Sequence, residues 1–250
     1  MTTLFSVALS VAEKVEMPHR GVSTGGSVTT LIDANTSTQD GLFNGGTLFI
    51  QSGSQANTYQ RITRYLSDGT YTFATVAPAV AADARYTAVS LNINAIIAAV
   101  NSALRDIGQT LAEDSSLVVV ANQAEYTLPA GVSNVRKVED MAAAVPSVKY
   151  RWDEIGGKLR FSNGFAAAGS SLRLTYRAQH APVSLAADVI SNYVDASWLV
   201  SKSALLMMQD LERTSNDKNK WTAPIQRETQ NELILRNPSN DLLQAKLAMW

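Results

Sequence analysis

The sequence predicts an α+β protein: a helical framework with a one-sided antiparallel sheet, and a small β-barrel or sandwich inserted near the N-terminus. Three observations carry this. Residues 93–111 hold Ile93, Ile96, Ile97, Val100, Leu104, Ile107 and Leu111 at steps of three and four, the spacing of one helical face. Residues 20–90 are instead short alternating segments cut by glycine-rich turns. From 117 to 176 the two-residue period dominates, and from 188 the helical period returns.

In order, Leu4, Phe5, Ala8, Val11, Ala12 and Val15 follow helical spacing until Pro18. A signal peptide would carry a basic n-region, and none is present, so this stretch reads as an amphipathic helix. Residues 28–32, 47–50, 59–65, 71–74 and 85–89 read as strands, separated by Gly25-Gly26, Gly45-Gly46, Ser52-Gly53-Ser54 and Asp68-Gly69. Five short strands at this spacing suit a small barrel or sandwich.

The helix that opens at 91 has Gly108 as its candidate C-terminal cap. A hairpin is expected next, from Leu117–Val120 to Tyr126 and Leu128, turning at Pro129 and Gly131. Val148, Tyr150 and Trp152 alternate, Gly156-Gly157 turns the chain into Leu159 and Phe161, and Leu172, Leu174 and Tyr176 alternate again. One apolar face per strand predicts a sheet covered by helices on one side.

Residues 188–213 read as a helix, with Asp188 as N-cap or first-turn acid, worth about 1 kcal/mol. Its apolar arc, which includes Trp198, Leu205 and Met208, is wider than one sheet face can bury. Either the helix lies deep in its own domain or it also packs on a neighbouring copy. A largely polar helix from 222 to about 236 follows, with Pro224 in its first turn, and Asn237-Pro238 breaks it. The remaining tail, DLLQAKLAMW, carries Leu242, Leu243, Leu247, Met249 and Trp250. Such a tail either folds back on its own domain or docks on another chain. The expected divisions are 1–19 (N-terminal core helix), 20–90 (inserted β domain), 91–213 (core) and 214–250 (polar helix and apolar tail).

Composition narrows the chemistry. The 250 residues are 46% hydrophobic and 17% charged, with a net charge of −1, so no global charge points to nucleic acid or an anionic membrane. No apolar run approaches the ~20 residues of a membrane span. Zero cysteines exclude disulfides, thiolate catalysis and cysteine-ligated metals. His19 and His180 fit no metal or nucleophile spacing. The glycine pairs do not continue to Gly-Lys-Ser/Thr and are read as turns. The acid pairs Glu113-Asp114, Glu139-Asp140 and Asp153-Glu154 flank strands or turns, where solvated carboxylates are common. Arg213, Lys218, Lys220 and Arg227 are interleaved with acids, as in a solvated loop rather than a nucleic-acid footprint. Tyr59, Tyr65, Tyr71 and Phe73 either pack the β domain or, if exposed, give it a carbohydrate- or protein-binding face. No catalytic residue, cofactor site or metal site is expected.

Several stretches resemble the head-to-tail adaptor (connector, or neck ring) proteins of tailed bacteriophages. They are NINAIIAAVNSALRDIG (92–108), QAEYTLPAGV (123–132) and LRLTYRAQHAP (172–182), which leads into the apolar helix. GGSVTTLID (25–33) and GGTLFI (45–50) also resemble a small β module of phage structural proteins. The resemblance implies a non-enzymatic virion protein, made in the host cytoplasm and placed in the neck. It implies a homo-oligomeric ring, commonly of twelve copies, docked under the portal protein and receiving the tail or a tail-completion protein below. Leu242, Leu243, Leu247, Met249 and Trp250 would then dock on the portal, and Trp198, Leu205 and Met208 would pack subunits together. A near-neutral charge suits a lumen through which DNA passes without being trapped by basic contacts. The alternative reading is a β-sandwich binding module of a phage tail or baseplate.

Overall fold

A computed structural model describes residues 1–36, 38–121, 123–141, 151–163, 169–215 and 219–236. The elements are β1 (Thr2–Thr3), α1 (Leu4–Val15), β2 (His19–Val22), β3 (Gly25–Gly26), β4 (Thr30–Ile32), β5 (Thr47–Ile50), β6 (Thr58–Arg61), β7 (Arg64–Tyr65), β8 (Thr70–Thr72) and β9 (Arg85–Val89). There follow α2 (Ile93–Asp106), β10 (Gln109–Val118), β11 (Glu125–Thr127), β12 (Val135–Asp140), β13 (Arg151–Ile155), β14 (Lys158–Asn163), β15 (Ser171–Gln179), β16 (Val189–Ile190), α3 (Ala196–Thr214) and α4 (Asn219–Arg236). All strand pairings are antiparallel, and the class is α+β. The chain forms two compact units, residues 1–106 with 182–250, and residues 107–181. The boundary runs through the 91–213 stretch that the sequence reads as one core.

In the first unit, α1 starts where the spacing predicts. Thr3 Oγ1 accepts from Ser6 N and Ser6 Oγ accepts from Thr3 N, a reciprocal cap for the first turn. Its apolar face is fully used: Leu4, Phe5, Ala8, Val11, Ala12 and Val15 are all buried. The third long helix begins later than expected. Asp195, not Asp188, is its N-cap, accepting from Trp198 N at 2.7 Å. Asp188 instead accepts from Ser184 N and Leu185 N at 2.6 and 2.8 Å, which holds its carboxyl below the usual range. The residues after it form β16, which pairs with β1. Helix α3 packs on α1, α2 and α4, so three helical neighbours cover an arc that one sheet could not.

Residues 19–89 form two four-stranded sheets, ordered β2-β9-β5-β6 and β3-β4-β8-β7, and neither closes into a barrel. One apolar cluster joins them, with Leu48, Ile50, Tyr86 and Ala88 from the first sheet and Leu31, Tyr65 and Tyr71 from the second. Rings run through it edge to face or tilted, from Phe43 to Tyr65 at 5.1 Å, Tyr65 to Tyr71 at 4.6 Å and Tyr71 to Tyr86 at 5.3 Å. Gly25-Gly26, expected as a turn, is instead the edge strand β3.

The second unit corrects two expectations. First, β10 and β11 do not form a hairpin: β10 pairs with β15, and β11 pairs with β14. Second, the buried face of each sheet packs on strands rather than on a helix within this unit's described residues. The sheets β10-β15-β12 and β11-β14-β13 supply the cluster of Leu117, Tyr126, Val138, Leu159, Phe161, Leu172 and Leu174 between them. Alternation marks one buried face without saying what buries it, and here it is a second sheet. The β13–β14 turn is as expected, with Gly156 and Gly157 at φ +60° and +74°, the left-handed pair that a tight hairpin demands.

Candidate functional site

Helix α4 orients its side chains against the usual rule. Trp221, Ile225, Glu228, Glu232 and Leu235 recur at helical spacing, so two carboxylates fall within its inner stripe. Glu228 and Glu232 are 2% and 6% exposed, whereas Leu233 and Ile234 are 57% and 69% exposed. The acids are inside and the aliphatics outside. The helix also begins at Asn219, ahead of the expected start, so Pro224 lies past its first turn. Buried Trp221 accounts for the extension, since it anchors a turn that polar residues alone would not hold.

The buried acids have defined partners. Lys14 Nζ of α1 lies 2.9 Å from Glu228 Oε2 and donates to Ser201 Oγ of α3 at 2.8 Å. Asn231 Nδ2 donates to Glu228 Oε1 at 3.2 Å, and Trp198 Nε1 donates to Glu232 Oε1 at 3.3 Å. A carboxylate withdrawn from water needs such compensation, because desolvation alone costs several kcal/mol. Beside this polar floor opens a groove of about 570 Å³ between α1, α3 and α4, walled by Val200, Ile234 and Leu235 and rimmed by Ser10, Ser197 and Asn231. Small residues on α1 and α3 keep it open, and Ile234 gives it an apolar lip. This chemistry suits holding a peptide, with polar anchors below and aliphatic contact at the side.

Trp198, Leu205 and Met208, assigned to subunit packing, are 5%, 5% and 0% exposed within the single chain. Within the single chain, α1, α2 and α4 pack on the helix that carries them. Leu242, Leu243, Leu247, Met249 and Trp250 lie outside the described residues. Glu228 and Glu232 are legible in the sequence as acids interrupting α4's apolar spacing, but the cation that meets Glu228, Lys14, comes from a helix some 200 residues away, and the indole that meets Glu232 comes from α3.

The other candidates have structural employment. Glu139 is buried, which opposes ionisation, but Lys137 and Arg173 bond it at 2.8 and 2.9 Å and hold its carboxyl below the usual range. Asp114 Oδ1 accepts from Ser116 N and Oγ at the irregularity in β10, and Glu154 accepts from Asn134 N and Val135 N. His180 Nδ1 lies 2.6 Å from the carbonyl of Ala181, the turn-orienting role its position suggests. Tyr65, Tyr71 and Phe73 are buried, and Tyr59 donates to Ser184 O at 2.7 Å. Among the described residues, no group of three or more His, Asp or Glu side chains could hold a metal ion. Among them, too, no helix is long and apolar enough to cross a membrane.

No protein-family model and no curated protein matches the chain.

A polar network inside the β module is the remaining cluster. Asp33 Oδ2 accepts from Tyr86 Oη at 2.8 Å and from Thr36 Oγ1 at 3.0 Å, and His19 Nε2 lies 3.2 Å from Thr36 Oγ1. Burial, with the Asp33 carboxylate beside it, pushes the Tyr86 hydroxyl up to about 12. A side chain at Gly21 would overlap both the Asp33 carboxylate and the Tyr86 hydroxyl.

Proposed function

We propose that the chain is a non-enzymatic structural subunit of a tailed-phage virion. It forms a ring that joins the capsid portal to the tail or a tail-completion protein, with DNA passing through the lumen. One observation carries the reading. Helix α4 presents Leu233 and Ile234 outward, just ahead of a segment that holds Leu242, Leu243, Leu247, Met249 and Trp250. An apolar surface of that kind fits a site that docks on another protein. The portal is the partner that the adaptor resemblance supplies, and twelve is the copy number it implies. We further read residues 20–90 as an inserted sandwich-like module decorating a helical framework. The packing of its aromatics inward speaks against the alternative of a carbohydrate-binding face.

The test is the mass of the protein alone and mixed with a cognate portal ring, by native mass spectrometry. A portal complex carrying a fixed multiple of the 26.9 kDa chain is expected. Removing residues 241–250 should abolish that complex while leaving the circular dichroism of the subunit unchanged. A truncated protein that still binds portal would refute the assignment of the tail, and a full-length chain that ignores portal would refute the adaptor reading.

A further inference from the structure

We infer that the folded chain joins itself covalently, through an isopeptide bond between Lys14 Nζ on α1 and Asn231 Cγ on α4, with Glu228 moving the protons. This goes beyond the adaptor reading and does not rest on it, since every participant belongs to one chain.

One carboxylate holds both reactants. Lys14 Nζ lies 2.9 Å from Glu228 Oε2, and Asn231 Nδ2 donates to Glu228 Oε1 at 3.2 Å. An amine and a carboxamide are thus fixed on the two oxygens of a single group, and its residue is 2% exposed. Ser201 Oγ, 2.8 Å from Lys14 Nζ, is a second acceptor and restricts where the amine can turn. Glu228 and Asn231 are three residues apart on α4, so the carboxylate and the amide project side by side. Such positioning replaces a bimolecular encounter with an intramolecular one, the condition under which an otherwise sluggish amine and amide react.

An ammonium is no nucleophile until it loses a proton. Glu228 Oε2 takes that proton from Lys14 and frees the nitrogen lone pair. Out of water, a neutral amine and acid cost less to hold than the ion pair they replace. The lone pair attacks Asn231 Cγ and forms the Cγ–Nζ bond. The proton on Glu228 then passes to Asn231 Nδ2 along the hydrogen bond already in place, and the carboxylate removes the surplus proton from Nζ. The Cγ–Nδ2 bond breaks, and ammonia leaves with the last proton as ammonium. Nothing is oxidised or reduced, and Glu228 ends ionised, as it began. Lys14 and Asn231 both line the groove of about 570 Å³, which gives the ammonia a path to solvent. The first proton transfer makes the reaction slow beside folding. A freshly folded chain therefore holds the ion pair, and an aged one the bond.

The full-length protein should lose about 17 Da, one ammonia, on prolonged incubation at neutral pH, read by intact-mass spectrometry. Trypsin does not cut after an acylated lysine, so residues 1–20 should appear joined to residues 228–236 in one branched peptide. Lys14→Arg keeps a cation opposite Glu228 but offers no nucleophilic amine, and Asn231→Ala removes the carbon that is attacked, at a half-buried site. Both variants should keep the parental circular dichroism and the full sequence mass. The closed loop from 14 to 231 should also make the reacted chain run ahead of both variants on a denaturing gel. A parental mass that never changes would overturn the proposal, as would a loss that persists in either variant. So would a loss of about 17 Da whose fragments place it elsewhere, such as a ring closure at Asn44-Gly45. A failed portal experiment leaves each of these readouts untouched.

Discussion

Replacing Lys14 with Met tests whether α4 is held by its buried carboxylate. The substitution keeps the aliphatic stem and removes the charge that lies 2.9 Å from Glu228 Oε2. The Glu228 side chain is 3% exposed and the Lys14 side chain 35%, so the carboxylate loses more than the ammonium if the pair is broken. Removing one partner of a fully buried pair costs roughly 3–5 kcal/mol, and the partial exposure of Lys14 lowers the expectation to about 2–3 kcal/mol. At about 2–4 °C per kcal/mol for a chain of this size, the thermal midpoint of the first unit should fall by about 5–10 °C. Urea unfolding followed by tryptophan emission is the suitable assay, since Trp198 and Trp221 both belong to this contact region. The double variant Lys14→Met/Glu228→Leu should recover to within about 1 kcal/mol of the parent, because it removes the desolvated charge together with its partner. Strictly additive losses, or a Lys14→Met protein as stable as the parent, would refute the idea that the ion pair seats α4.

Leu205→Lys places a charge at a site 5% exposed among three helices, and a loss of about 3 kcal/mol or more in urea is expected. Glu139, whose carboxyl is held below its ordinary value of 4.5, contributes stability that is present above that value and lost as pH falls through the folded-state value. Glu139→Gln should therefore flatten the acid limb of unfolding, read on the second unit through Trp152 emission. Tyr86 is shifted the other way, from 10.0 to about 12, so its contribution is intact below pH 10 and disappears between there and about pH 12. Tyr86→Phe should show a smaller loss of stability across that alkaline window by circular dichroism. Asp33→Ala leaves the Tyr86 and Thr36 hydroxyls without their acceptor and should cost about 2–3 kcal/mol by the same method.

Local signals were legible where the chain settles its own geometry. The apolar spacing of α1, the positive φ of Gly108 after α2, and the Gly156-Gly157 turn all follow from residues close in sequence. The failures are of another kind. Whether Leu117 and Tyr126 belong to one hairpin, and whether a helix or a sheet covers them, depends on β14 and β15, far along the chain. The start of α3 was misplaced because Asp188 and Asp195 are both good caps, and β1, at the opposite end of the chain, claims Val189 and Ile190 for a strand. Of the two readings of α3's wide arc, burial in its own domain has three helical neighbours to supply it, which the spacing of α3 alone does not reveal. The groove was invisible for the same reason: α1 and α4 contribute opposite ends of the sequence to it.

That long separation has a consequence for how the protein is made. Helix α1 ends at Val15, and the helix that covers it begins at Ala196. At ribosomal rates of ~5–20 residues per second, about 10–40 s pass between the emergence of the two. Residues 107–181, a unit with its own core, can fold during that interval. Meanwhile Leu4, Phe5, Val11 and their neighbours must wait for α3 with only α2 and the β module to lean on. The nascent chain therefore offers an early apolar helix to chaperones. When the chain returns, it is fixed at Val183, whose N–H and C=O are both bonded by the Asn101 amide at 2.8 Å. Until that return the helical cluster lacks its centre.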